Sequence, residues 1–271
     1  MNEPFRLMCV VAHPDDESLG TGGILAKYAT EGHETYLVTA TCGQRGWPGD
    51  PDDYPGSAEL CRIREAELRA AGEVLGLREI VLLGYRDGEL DQAEPAEVIA
   101  KIVTHLRRVQ PQVVVTFGPD GAYGHPDHIA ISQFTTAAVV AAANASYRDV
   151  LELPHQVSKL YYMAITRAEL DAYEAAMGDL VMQVDGAERR SVAWEPWAVT
   201  TWIDTAAHWE QVWQAVACHR TQLPTYEALT ELSEEQHQYL WGTQTFYRAF
   251  SLVNGGRQVE RDLFAGLRER S

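Results

Sequence analysis

The stretch VVAHPDDESLG, residues 10–20, runs from a short apolar segment straight into His13, Asp15, Asp16 and Glu17. Carboxylates crowded at the mouth of a strand repel one another and lose hydration, a double cost unless a cation or a reaction makes use of them. The segment before them, FRLMCVVA at 5–12, reads as a buried strand. The segment after them, SLGTGGILAKYATEG at 18–32, reads as a helix loosened by its glycines. A buried strand that passes through a charged turn into a helix is the opening unit of an α/β architecture.

The same alternation continues outward. ETYLVTAT at 34–41 is a second strand, followed by the Gly/Pro/Asp loop CGQRGWPGDPDDYPG at 42–56. Ser57 is the expected cap of a helix running to about Leu75, with Gly76 as its stop. EIVLLG at 79–84 is a third strand, a helix spans 94–109, and QVVVTFG at 112–118 is a fourth strand. A helix over 128–145 and a fifth strand, KLYYMAI at 159–165, complete the regular part. Short β-runs alternating with helices predict a parallel sheet covered on both faces. From about 166 the pattern is less regular. WAVTTWID at 197–204 reads as a strand and DTAAHWEQVWQAVACH at 204–219 as a helix capped by Asp204 or Thr205. Ser233 and Gln236 suit a capping box for a last helix, and TFYRAFSLV at 245–253 alternates like a strand. The expected fold is a Rossmann-like three-layer α/β fold with a mostly parallel sheet and a C-terminal α+β elaboration. It is expected to form a single domain over 1–271, with its core at 1–165 and the elaboration at 166–271.

Bulk properties exclude several classes. The net charge of −17 over 271 residues argues against nucleic acid, which needs clustered Lys and Arg, and against anionic membrane surfaces. The most apolar helix candidate, TTAAVVAAANA at 135–145, is too short to span a bilayer. The N-terminus lacks the basic flank of a secretory signal. Cys9, Cys42, Cys61 and Cys218 are scattered without a CxxC pair, which reads as reduced thiols and a cytoplasmic protein. Nothing in the sequence opposes a homo-oligomer. Gly20, Gly22 and Gly23 make a poor dinucleotide fingerprint, because the acidic cluster stands between them and the strand and would repel a pyrophosphate.

A second cluster, YGHPDH, comprises Tyr123, Gly124, His125, Pro126, Asp127 and His128. It follows the fourth strand as the first cluster follows the first. In the common doubly wound order those two strands are neighbours at the switch point, where ligands bind beyond the C-terminal strand ends. His13 and Asp16 are three apart, as are His125 and His128, and a helical turn brings such pairs to one side. Two imidazoles and a carboxylate with one position left for water make the usual hydrolytic zinc site. A cation there would offset the crowding of charge. Taken singly, His-Pro-Asp is an ordinary turn and Asp-Asp-Glu an ordinary solvated helix start. Together, at neighbouring strand ends, they favour a metal site.

AHPDDE at 12–17 with GHPDH at 124–128 resembles the PIG-L/LmbE-like deacetylases, zinc hydrolases that remove N-acetyl groups, mostly from N-acetylglucosaminyl compounds. The resemblance runs from the first strand to about residue 145 and more loosely to the C-terminus. It implies zinc held by His13, Asp16 and His128, with Asp15 as general base. It implies that His125 assists the oxyanion or a proton transfer and that Tyr123 polarises the acetamide carbonyl. Glu17 is expected as a supporting residue or helix cap, and Asp127 as a hydrogen-bond support for His125 or His128. Arg64 and Glu67 resemble the family's R-x-x-E helix, the alternative being a buried Arg64–Glu67 pair. Asp87 matches a position that binds a sugar hydroxyl, the alternative being a plain Asp-Gly turn, and Arg86 stands where a proline is common. ACHRTQ at 217–222 resembles an H-x-S-Q element with Thr221 in place of Ser, and makes His219 a candidate for substrate contact. Iron(II) suits the same donors as zinc. The implied activity is hydrolysis of an acetylated amino-sugar conjugate to acetate and a free amine. An amidase acting on a thiol conjugate and a non-catalytic metal- or sugar-binding module are the alternatives. The aglycone would be set by the loop at 43–57 and the C-terminal part, where one of Trp194, Trp197, Trp202, Trp209, Trp213 and Trp241 is expected in the cleft. Trp47 is a separate candidate for its rim. His33, His105, His155, His208 and His237 carry no partner signal and read as structural or exposed.

Overall fold

Strand β1 (Arg6–Val11) is buried at every position after its first, as an unbroken apolar run in a parallel sheet requires. A computed structural model describes residues 3–147, 152–179, 181–184, 186–253 and 258–268. After β1 come α1 (Asp16–Thr30), β2 (Glu34–Thr41), α2 (Ser57–Leu75), β3 (Glu79–Tyr85), α3 (Pro95–Val109) and β4 (Val113–Thr116). A single turn, α4 (Gly121–Gly124), leads into α5 (Pro126–Ala143) and β5 (Lys159–Met163). Strand β1 is parallel to β4, the neighbour the sequence predicts, and also to β2, and β4 is parallel to β5.

The helix ends follow local chemistry. The position before α2 is held by Gly56, at φ 91°, and not by Ser57, which is the first helical residue. The Ser57 hydroxyl instead meets the Tyr54 hydroxyl at 2.8 Å. At the other end Gly76 adopts φ 74°, the left-handed stop expected of it. Pro95 opens α3, where its missing N–H costs nothing.

The remainder of the chain supplies α6 (Arg167–Met177), the hairpin β6 (Val181–Val184) and β7 (Ala187–Arg190), then β8 (Thr201–Asp204) and α7 (Trp209–Cys218). It closes with α8 (Glu227–Thr230), α9 (Glu234–Trp241) and β9 (Thr243–Ser251). Both halves of the Ser233–Gln236 capping box are formed. Of the two candidate caps before α7, Asp204 accepts from the Ala206 N–H at 3.0 Å, while the Thr205 hydroxyl donates to the Trp241 carbonyl. Strand β9 runs antiparallel to β5, and β8 pairs with β9, giving a seven-stranded sheet in the order β3-β2-β1-β4-β5-β9-β8. The fold is a mostly parallel, Rossmann-like α/β sheet with helices on both faces and an α+β elaboration. Among the described residues no helix is long and apolar enough to cross a membrane.

The α1 glycines serve packing. A Cβ on Gly23 would stand 2.8 Å from the Thr205 Cβ, so only glycine lets α1 press against the end of β8. The buried Lys159 is held by the Glu260 carboxylate at 2.6 Å and by the Ala265 carbonyl, which ties the C-terminal segment to the sheet. The expectation of four reduced thiols is corrected. Cys42, at the end of β2, and Cys61, on α2, form a disulfide, leaving Cys9 and Cys218 free. The argument for a reducing compartment that rested on those thiols falls with it. Thiol titration in denaturant should therefore find two reactive cysteines before reduction and four after it. Reduction should also cost about 3 kcal/mol of stability, the scale for a closed loop of this size. Four reactive thiols without reductant would disprove the pairing.

Candidate active site

Because β1 and β4 are adjacent and parallel, the turns that leave their C-terminal ends face each other across one crevice. A cavity of about 660 Å³ opens there, lined by residues of both motifs. Asp16 folds the first turn back on itself, its Oδ2 accepting from the N–H groups of Ala12 at 3.1 Å and His13 at 2.8 Å. The tightness of that turn puts Asp15 at φ 107°, in the left-handed region that a side chain disfavours. Ala122, one residue before Tyr123, has φ 64°. Backbone strain thus sits beside both motifs.

Three side chains converge, Asp16 facing the two histidines through different oxygens. His13 Nδ1 lies 3.2 Å from His128 Nε2 and 3.6 Å from Asp16 Oδ2, and His128 Nε2 lies 3.4 Å from Asp16 Oδ1. Donors about 2.0–2.2 Å from a tetrahedral ion stand roughly 3.3–3.6 Å apart, so the triangle has the size of a metal site. The far sides of the rings agree. His13 Nε2 faces the Asp87 and Asp127 carboxylates at 3.1 and 3.2 Å, and His128 Nδ1 faces the Gly121 carbonyl at 3.2 Å. Those partners take the N–H of each ring and turn its lone pair toward the other ring. Two lone pairs aimed at each other need a proton or a cation between them. Phe117 stacks on His128 with centroids 3.9 Å apart and fixes that ring's plane. The structure therefore suits a cation held by His13, Asp16 and His128. A second grouping, of His13, His125 and Asp127, is also close enough to share an ion. It is less suited, because the Asp127 oxygens already accept from the Gly88 and Leu90 N–H groups and His125 Nδ1 accepts from the Asp127 N–H.

Charge in the polypeptide alone shows what a cation would relieve. Burial opposes charge on His13, but the Asp127, Asp87 and Asp16 carboxylates outweigh it and hold its pKa up at about 10. Burial pushes Asp16 up to about 7 against the pull of His13, with Asp15 and Glu17 adding repulsion. Burial and the neighbouring histidines hold His128 well below its usual value.

The remaining expected residues form a ring of supports. Arg64, almost fully buried, donates to the carbonyls of Gly43 and Pro14 and to Asp15 Oδ2 at 3.3 Å, so its carboxylate partner is Asp15 and not Glu67. Glu67 accepts from the Thr221 N–H at 2.9 Å and hydroxyl at 2.7 Å, and threonine therefore serves where the family pattern has serine. Glu17 accepts from the Asp15 N–H at 3.0 Å and lies 2.7 Å from His219 Nε2. His219 is fully buried behind Glu17 and off the cavity wall, so the substrate contact expected of it is replaced by this pair. Burial disfavours its charged form, but Glu17 and Asp15 hold its pKa above the usual value. Asp127 bonds His125 Nδ1 through its backbone N–H, as a support of His125 was expected to, while its carboxylate faces His13. Asp87 lines the cavity between His13 and the Arg45 N–H, which it accepts at 2.9 Å. Tyr123 and His125 line it too, their ring centroids 5.3 and 4.8 Å from that of His128. Trp47 and Trp241 are the cavity tryptophans.

Tyr226 and Arg45 were not anticipated, and Gln222, the last residue of the ACHRTQ element, was given no role. The Tyr226 hydroxyl donates to Asp15 Oδ2 at 3.2 Å, from a segment with no signal in its own sequence. Arg45 and Gln222 border the cavity, Gln222 by donating to the Gly46 carbonyl at 2.7 Å. Arg45 was findable, since it lies in the loop that leaves a strand at its C-terminal end.

Fold and site together define an α/β enzyme with a candidate His/Asp metal centre at the sheet's switch point. The sequence profile of the PIG-L family, described as GlcNAc-PI de-N-acetylase, matches residues 8–139. A 1D-myo-inositol 2-acetamido-2-deoxy-alpha-D-glucopyranoside deacetylase from Rhodococcus jostii is 36% identical over 295 residues, covering 97% of this chain and 98% of its own. A conserved protein of Thermus thermophilus superposes with a TM-score of 0.64 at 26% identity, over 92% of this chain and 96% of that one. A 4-carboxy-2-hydroxymuconate hydratase from Pseudomonas putida superposes at 0.68 with 19% identity, over 93% and 99%. That last likeness is of fold alone, and its different reaction shows that the fold does not choose the chemistry. By its sequence relatives, this chain belongs to the PIG-L family of de-N-acetylases.

The strain at Asp15 is separable from its carboxylate. Asp15→Gly and Asp15→Ala both remove the acid, but only glycine accepts φ 107° freely. In urea unfolding the glycine variant should be the more stable by about 1 kcal/mol. Equal stabilities would mean that the turn is unstrained.

Proposed function

We propose that this protein is a zinc-dependent hydrolase that removes the N-acetyl group from an N-acetylglucosaminyl small-molecule conjugate, releasing acetate and a free amine. The observation that carries this reading is the triangle of His13 Nδ1, Asp16 and His128 Nε2 with the buried Asp15 carboxylate beside it. Its fit to the family, and to relatives that act on an acetamido sugar joined to inositol, supports the substrate class.

His13, Asp16 and His128 would hold the ion. When bound, it supplies Lewis acidity that polarises a carbonyl and makes water acidic enough to attack near neutral pH. Asp15 takes the proton of the attacking water. Its Oδ2 already accepts from Arg64 and Tyr226, which leaves Oδ1 for that proton. Tyr123 donates to the oxygen that becomes negative as the acetamide carbon turns tetrahedral. Burial and the surrounding carboxylates raise its pKa, so the hydroxyl keeps the proton it must donate. His125 stands on the same side of the crevice, and it or the protonated Asp15 delivers a proton to the leaving amine. Asp87, on the cavity wall, would accept from a sugar hydroxyl, while Arg64 holds Asp15 in place. Iron(II) suits the same donor set.

Amine release from a panel of N-acetylglucosaminyl conjugates should be strong with zinc-loaded protein and abolished by chelation. Release that survives full removal of metal would refute the metal-dependent reading. His128→Ala should lose bound zinc, and an unchanged zinc stoichiometry would sink that ligand assignment. Asp15→Ala should keep zinc and lose roughly 10²–10⁴-fold in kcat, the usual worth of a general base.

A further inference from the structure

Tyr123 rides on a turn that its own side chain does not hold. Its ring meets those of His125 and His128 edge-on, at 5.9 and 5.3 Å between centroids, and its hydroxyl makes no hydrogen bond among the described residues. The place of that hydroxyl is therefore set by the backbone of Gly121–Gly124. That backbone is strained. Ala122, at φ 64° and ψ −69°, takes the rare form of the γ-turn, which a side chain disfavours. Such a conformation persists only where its surroundings over-determine it.

Two side chains hold the start of the turn. His128 Nδ1 faces the Gly121 carbonyl at 3.2 Å, and the Trp194 indole N–H donates to Asp120 Oδ2 at 3.1 Å. The first contact lies within the YGHPDH motif and its approach. The second comes from beyond the residues that the family profile matches. It is the Asp120 side chain's sole hydrogen bond to another residue among the described residues, since Oδ1 is buried without a partner. The pair is closely fitted. A Cβ on Gly118 would overlap Asp120 Oδ1 and stand 3.0 Å from the Trp194 ring, so glycine there leaves room for both. Trp194 is itself fixed. Its backbone N–H donates to the Ile165 carbonyl, just after β5, at 2.7 Å, and its ring lies against that of Tyr247 on β9 with centroids 5.6 Å apart. Asp120 lines the cavity and Trp194 does not. The indole thus reaches the site through Asp120, and not by touching what the cavity holds.

We infer that Trp194 and Asp120 are positioning residues for Tyr123. The Trp194 N–H holds the Asp120 carboxylate, and through it the strained turn that presents the Tyr123 hydroxyl to the reacting carbonyl. This rests on the deacetylase reading above. Amine release from the N-acetylglucosaminyl-inositol conjugate by zinc-loaded full chain tests it. Trp194→Phe keeps an aromatic ring and removes the N–H. It should lower kcat about three- to tenfold, the range of one hydrogen bond, with KM and bound zinc within about twofold of the parent. Asp120→Asn keeps an accepting oxygen and should stay within about twofold of the parent, whereas Asp120→Ala should match Trp194→Phe. Tyr123→Phe should lose at least as much as Trp194→Phe. Adding Trp194→Phe to it should cost nothing more, because the hydroxyl that the latch positions is gone. Val192→Ala, two residues from Trp194 and 68% exposed, should behave as the parent. Full multiplication of the Tyr123→Phe and Trp194→Phe losses, or a Trp194→Phe variant with the parent's kcat, would overturn the latch and leave the deacetylase standing. Hydrogen exchange reads the latch without turnover. In Trp194→Phe and Asp120→Ala the amides of residues 119–124 should exchange faster, with those of α5 as in the parent. No amine release from the parent, with that change in exchange present, would overturn the deacetylase reading while the latch holds. Unchanged exchange would overturn the latch in either case.

Discussion

The pairing of β1 with β4 is the constraint on which the site depends. Leu7, Met8 and Cys9 sit opposite Val113, Val114 and Val115, and this register fixes the distance between two turns more than 100 residues apart in sequence. The register is itself held by burial, since both strands are apolar and closed off on both faces. A slip of one residue would reverse every side chain and move His13 away from His128. No single loop carries the candidate metal-binding triangle, and its members meet only when the sheet has formed.

Placing this much charge under cover is costly, and the structure answers with pairs. Asp15 faces Arg64, Glu17 faces His219, Glu67 faces Thr221, and His13 is backed by two aspartates. Most of these partners come from elsewhere in the chain. The segment from His219 to Gln222 reaches Glu17, Glu67 and the Gly46 carbonyl in turn, so one short stretch stitches α1, α2 and the loop after β2 together. The catalytic half and the elaboration are therefore joined at the site itself.

What the sequence disclosed follows from the range of the forces involved. The strands of the sheet were legible because an apolar run flanked by helical patterns has few other uses, and the two charged clusters because each is local to one turn, whereas the choice of His13, Asp16 and His128 among their members came from the family resemblance. The contact of the Asp127 carboxylate with His13 was not legible because it is set by the loop at 86–90, whose N–H groups at Gly88 and Leu90 hold that carboxylate. Tyr226 reaches Asp15 across 211 residues, a contact no local pattern announces. The β6–β7 hairpin, VMQV with AERR, was invisible because only part of its surface is buried and neither strand alternates cleanly. The Ser57 cap failed for a plainer reason. Glycine takes the capping position one residue earlier, at φ 91°, and the Ser57 hydroxyl meets Tyr54 instead.

The Cys42–Cys61 bond encloses the loop that carries Arg45 and Trp47 to the cavity rim, and that loop is exposed from Pro48 to Pro55. A protease that cuts within it severs the backbone but releases no fragment. The nicked molecule would still migrate as one chain on a non-reducing gel, its two pieces parting only when thiol is added. The most accessible part of the rim is thus also the part whose breakage leaves the molecule covalently whole.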